Sequence, residues 1–196
     1  MSQSFATLLQ RIRACCLCQA ALPLGCRPVL QAGPGARLLI VGQAPGRRVH
    51  ASGIPFDDAS GQRLRQWLGI DSTTFYDPQR VAIVPMGFCY PGSGRSGDLP
   101  PRPECAPTWH PQLLPRLTQI QLRLAIGQYA QAGLLGARRG RTLTETVQAW
   151  REHLQHGVLP LPHPSPRNRL WLARNPWFEA ELLPVLRQRV AQALAD

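Results

Sequence analysis

The chain has 196 residues and carries 22 basic side chains against 11 acidic ones, a formal charge of +11. A chain of this length can bury a full hydrophobic core, and 44% apolar with 17% charged residues excludes a disordered polypeptide. Every cationic residue is Arg and none is Lys, which excludes a P-loop lysine, Walker-type phosphoryl transfer and lysine imine chemistry.

Guanidinium forks match phosphate oxygens, so this charge points to nucleic acid as the partner class. No apolar run reaches the roughly 18 residues of a membrane span, and the polar residues 1–4 lack a signal-peptide core. The expectation is a soluble, cytoplasmic protein without membrane contact.

Residues 5–13 (Phe5, Leu8, Leu9, Ile12) have helical spacing. After a Pro/Gly-rich stretch, the apolar run 37–41 reads as a buried strand. Ser60 opens a helical pattern (Leu64, Trp67, Leu68) that stops at Gly69, and 81–84 reads as a second strand. Residues 85–107 are irregular and rich in Pro and Gly; inside a compact domain such a segment needs a ligand, a metal or a function to hold it. A helix over 109–117, a strand over 121–126 and a helix over 127–135 follow. Thr142 and Glu145 have capping-box spacing and open a helix through Leu154. A fourth strand at 158–161 and a terminal amphipathic helix at 176–194 complete the chain.

This alternation predicts an α/β fold over a single domain, 1–196: three layers, α/β/α, around a central four-stranded, mostly parallel sheet. Ligands of such sheets bind beyond the carboxyl ends of the strands. The turn Gly42-Gln43-Ala44-Pro45-Gly46, Pro85 to Cys89, Gly127-Gln128 and His163-Pro164-Ser165-Pro166 each follow one of the four strands, so the least ordinary residues share one rim.

Six Cys occur, at 15, 16, 18, 26, 89 and 105. Cys15-x-x-Cys18 is a two-ligand clip, and Cys89 and Cys105 bracket the irregular segment. Together they suit a four-thiolate site for zinc or an iron–sulfur cluster, or else are separate buried thiols. Cys16 and Cys26 are expected to be packing residues.

With these motifs in hand, the chain resembles the uracil-DNA glycosylase superfamily over nearly its whole length, and most closely its bacterial iron–sulfur branches, families 4 and 5. The 42–46 turn is similar to the Gly-Glu-Ala-Pro-Gly of family 4, and Gly53-Ile54-Pro55-Phe56 to its Gly-Arg-Pro-Phe, whose Phe stacks on the flipped base. His163-Pro164-Ser165-Pro166 matches the second motif, and Arg167-Asn168 is similar to the single-strand-selective branch. Cys15, Cys18, Cys89 and Cys105 match the cluster ligands, which implies a [4Fe–4S] cluster. Gln43 replaces the family-4 Glu and can position a water but not take its proton. Pro85 stands where family 4 has a uracil-reading Asn. Asp58-Ala59-Ser60-Gly61 matches the Asp-x-Ser-Gly context of the family-5 acid.

The resemblance implies a monofunctional glycosylase that hydrolyses the N-glycosidic bond of uracil or another deaminated base in DNA, acting as a monomer; the alternative is a catalytically degenerate DNA-binding module. Asp58 would stabilise the sugar cation or activate water, with Asp57 as fallback and a plain helix cap as the competing role. His163 would donate to the departing base, Phe56 would stack on it, and Gly42, Gln43 and Ala44 would line its pocket. Arg47, Ser165 and Arg167 would contact DNA, with Arg48 a further phosphate contact and His50 secondary. Trp171, Trp177 and Phe178 are expected in the packing of the core.

Overall fold

The computed structural model describes residues 4–95 and 97–195. The expectation drawn from the opening residues therefore lies, for residues 1–3, outside the described part.

The chain begins with α1 (Phe5–Arg13), capped by the Ser4 side chain, and a short 3-10 turn. Then come β1 (Leu38–Val41), α2 (Arg47–Ser52), α3 (Ala59–Leu68), α4 (Ser72–Phe75) and β2 (Val81–Ile83). A small antiparallel hairpin, β3 (Ser93–Gly94) and β4 (Gly97–Asp98), interrupts the segment expected to be irregular. The rest is α5 (Cys105–Leu113), β5 (Leu122–Ile126), α6 (Gly127–Leu135), α7 (Leu143–Gln148), α8 (Trp150–Gln155), β6 (Val158–Leu161), α9 (Arg169–Arg174) and α10 (Leu183–Leu194).

The main sheet has the order β2-β1-β5-β6 and is parallel throughout. Its strands are buried on both faces, and side-chain alternation divides the core. Leu38, Ile40, Leu122, Leu124, Leu159 and Leu161 face the layer of α3, α7, α8 and α10. Leu39, Val41, Ala82 and Ala125 face α1, α5 and α6. The expected three layers are present. Pro160 pairs with Ala125 on β6, an edge strand where a missing N–H is tolerated. The opposite edge is covered by Gln31, which exchanges backbone hydrogen bonds with Ile83 at 2.9 and 2.7 Å.

The capping box at Thr142 and Glu145 is formed, but the helix it opens ends at Gln148 and α8 restarts at Trp150. The helix expected over 109–117 instead starts at Cys105 and passes into a 3-10 turn after Leu113. The terminal helix opens with a π-helical turn, Phe178–Leu182. Phe178 is fully buried and packs edge-on against Trp67, Trp171 and Trp177, in the packing role expected of these aromatics.

The chain proceeds from β1 to β2 on one side and returns to place β5 on the other, so the topological switch lies between β1 and β5. Crevices of such sheets open at this point, beyond the strand ends.

Candidate active site

A cavity of about 420 Å³ opens at the carboxyl ends of the strands. Eight of the expected site residues line it: Gly42, Gln43, Ala44, Phe56, Asp58, His163, Ser165 and Arg167. Arg47 does not; it is exposed at the start of α2. Asp57 and Arg48 line a shallow groove alongside, so of the two neighbouring acids it is Asp58 that reaches the cavity. His50 is buried away from it, with its ring 6.1 Å from that of Tyr90.

The turn after β1 is held as an extension of the sheet. Gly42 and Gln43 accept backbone hydrogen bonds from Met86 and Gly87, both at 2.9 Å. This couples the turn to the segment leading to Cys89. The Gln43 amide donates to the Leu99 carbonyl at 3.0 Å, so one of its donors anchors the chain just after β4.

Phe56 is the one non-glycine residue with positive φ (54°) among those described, a conformation that costs roughly 1–2 kcal/mol. Two features impose it. Tyr76 donates its hydroxyl to the Phe56 carbonyl at 3.4 Å, and Gly61 leaves that carbonyl room against the first turn of α3. The resulting geometry lays the ring over Gly42, where a Cβ would stand 3.5 Å from Cζ. Phe75 supports the ring edge-on at 6.2 Å.

Asp58 is the N-cap of α3, its Oδ1 accepting from the Gly61 N–H at 2.8 Å. The cap and the position in the cavity coexist, because a carboxylate has two oxygens and the cap uses one. His163 stands two residues beyond β6. Burial holds its imidazole below the ordinary range, and the charges of Asp58 and Asp98 oppose that shift. Two elements fix its loop: buried Gln131 donates to the Leu161 carbonyl at 3.0 Å, and Asn168 donates to the His163 carbonyl at 2.7 Å. Arg63 reaches from α3 to the Ser165 carbonyl at 3.2 Å.

Pro85 lines the cavity and presents no side-chain donor or acceptor. Its carbonyl pairs with the His110 ring at 3.0 Å, which ties α5 to the cavity wall. Asp98, on β4, also lines the cavity. Sequence reasoning missed it, because no motif marks it.

A second, small cavity is lined by Cys15, Cys18, Cys89 and Cys105 together. N–H groups point at several of the sulfurs: Trp109 Nε1 to Cys15 at 3.4 Å, the Phe88 backbone to Cys105 at 3.3 Å, and the Arg27 backbone to Cys89. Burial pushes the Cys105 thiol up to about 12 and raises that of Cys89. Among the described residues, no group of three or more His, Cys, Asp or Glu is gathered as it would be around a bound metal ion. Cys16 is exposed, which corrects its expected packing role, and hydrogen-bonds to Cys26, whose thiol is raised to about 12 chiefly by that bond.

The family model for the uracil DNA glycosylase superfamily matches residues 30–187, most of the chain and every residue that lines the larger cavity except Val29. The chain belongs to the uracil DNA glycosylase superfamily. Membership accounts for the shared rim: the 42–46 turn and the 163–166 loop are far apart in sequence yet close on one cavity. No described helix is long and apolar enough to cross a membrane.

Proposed function

We propose that this protein is a monofunctional DNA glycosylase that removes a deaminated base by hydrolysing its N-glycosidic bond. The observation that carries the reading is that Asp58 and His163 line one cavity large enough for one extruded base, with the Asp58 charge acting on the His163 ring. In the reaction, the bond from C1′ to the base nitrogen breaks with its electron pair going to the base, and water adds to C1′. Asp58, through the oxygen not used by the cap, stabilises the positive sugar and receives the proton of the water. His163, kept neutral by burial, donates a hydrogen bond to the base oxygen where charge develops, a contribution of about 10²–10³ in rate. Phe56 stacks on the base. The absence of Lys removes the side-chain amine that a lyase step would use, which favours an abasic site as the product.

Asp58→Asn tests this cleanly, because Asn caps helices as well as Asp does. Excision from single- and double-stranded oligonucleotides containing uracil, hypoxanthine or xanthine, read on gels after alkaline cleavage, should fall by about 10²-fold or more at unchanged melting temperature. Wild-type protein that binds these oligonucleotides but cuts none would instead be a recognition module. A variant with the wild-type rate would remove Asp58 from the chemistry.

The second cavity supports a [4Fe–4S] cluster held by Cys15, Cys18, Cys89 and Cys105. The N–H donors onto sulfur are the kind of contact that tunes such clusters, and bound iron would keep the thiols deprotonated despite burial. The cluster would staple both ends of residues 89–105, the segment that carries β3 and β4. Anaerobically purified protein should contain iron and absorb near ~400 nm, and Cys89→Ser should lose both; zinc in place of iron would reject the cluster.

A further inference from the structure

Residues 89–105 carry one titratable side chain into the larger cavity that the chemistry above does not use, and it is held in place. Asp98 accepts a hydrogen bond at Oδ1 from the Ser93 hydroxyl at 3.0 Å, and Ser93 shares a 2.7 Å hydrogen bond with the hydroxyl of the buried Tyr90. Tyr90 adjoins Cys89, so this chain of contacts runs from the thiol-lined chamber to the cavity. The other carboxyl oxygen, Oδ2, lies close over Gly46: a Cβ there would stand 3.3 Å from it. Gln43 anchors the residue after Asp98, and Arg167 lies against Gly97, where a Cβ would collide with its guanidinium.

The composition makes this placement informative. The protein has 11 acidic residues against 22 Arg, and its partner is a polyanion. A second carboxylate beside the cavity opposes binding of DNA unless it meets a donor there. Pro85 has no polar side-chain atoms to read a base, so the polar reading falls to other wall residues: the Gln43 amide is committed to the Leu99 carbonyl, and Asp98 offers Oδ2.

We infer that Asp98 is a specificity-determining residue: a preoriented, acceptor-only group that selects extruded bases presenting an N–H donor to the Gly46 side of the cavity and disfavours those presenting a lone pair. The inference rests on the reading of this cavity as a base pocket. Ionised Asp accepts hydrogen bonds and cannot donate, whereas Asn of the same size does both. Asp98 is exposed in the free protein, so its selectivity arises when a bound base covers it: a mismatched edge then takes water from Oδ2 without replacing the hydrogen bond.

The test uses oligonucleotides carrying hypoxanthine, which has a ring N1–H, or unsubstituted purine, which has a lone pair at N1. Affinity is measured by anisotropy in the Asp58→Asn background, and excision in the Asp58-intact protein. Protein with Asp98 should favour hypoxanthine, and Asp98→Asn should lower the hypoxanthine-to-purine ratio about tenfold or more. Affinity for abasic DNA, which offers the carboxylate no base to pair with, should rise rather than fall as the charge is lost, and the melting temperature should stay unchanged. Ser93→Ala, which frees the carboxylate, should lower the ratio by a smaller factor. A ratio within twofold of the parent in Asp98→Asn overturns the inference, whatever the overall affinity. Absence of excision from any oligonucleotide would instead overturn the glycosylase reading, and the affinity ratios would still decide the role of Asp98.

Discussion

Replacing Gly61 with Ala sets helix propensity against packing. Gly61 lies in the first turn of α3, and Ala in a helix interior is favoured over Gly by about 1 kcal/mol. Propensity alone therefore predicts a more stable protein. The Phe56 backbone occupies the space: a Cβ on Gly61 would overlap its carbonyl oxygen and stand 2.7 Å from both its carbonyl carbon and its Cβ. The residue that must yield is itself held at φ 54° by Tyr76. Overpacking of this kind costs roughly 1–3 kcal/mol. Moving the 56–58 backbone also disturbs the Asp58 cap, which contributes about 1 kcal/mol. Set against the propensity gain, the net loss is about 2 kcal/mol, or about 4–8 °C in melting temperature for a chain of this size. Thermal unfolding followed by circular dichroism measures it, with Asp58→Asn as the control that keeps the cap. A Gly61→Ala protein melting at or above the wild-type temperature would refute the packing argument, and with it the account of how Phe56 is held over Gly42.

Further outcomes are expected. His50, His110, His153 and His163 are all held below the ordinary range, with burial the largest cause in each. The unfolded chain protonates them near ~6.5, so their contribution to stability is complete above that pH and is lost as the pH falls below it. The melting temperature should be level from about pH 7 to 8 and drop between about pH 6.5 and 5; a flat profile there would contradict the burial of these rings. Gln131→Leu leaves the Leu161 carbonyl without its donor at a buried site and should destabilise the protein by about 1–3 kcal/mol in chemical denaturation; no change in the midpoint would mean that another group satisfies the carbonyl. Arg47→Ala, at an exposed position outside the cavity, should weaken DNA binding evenly across sequences and reduce the salt slope by about 0.7–0.9. An unchanged slope would remove Arg47 from the phosphate contacts.

Much of the architecture was legible in one dimension because it depends on local chemistry. Continuous apolar runs marked strands buried on both faces, the Thr142–Glu145 spacing marked a helix start, and the strand-end rule brought Gly42, His163 and their neighbours to one rim. What stayed hidden depends on contacts between distant segments. Asp57 and Asp58 are adjacent and chemically alike; only the start of α3 aims Asp58 into the cavity. Phe56 is apolar by type, yet its left-handed backbone follows from Gly61 and Tyr76, five and twenty residues away. Asp98 lies in a stretch without periodicity, and reaches the site because Gln43 and Ser93 hold it there. Residue type and spacing thus determined the layers and the rim, since burial and hydrogen bonding within an element are local. Which atoms face each other across the cavity was decided by the tertiary structure, since those directions are set by side chains that meet only after folding.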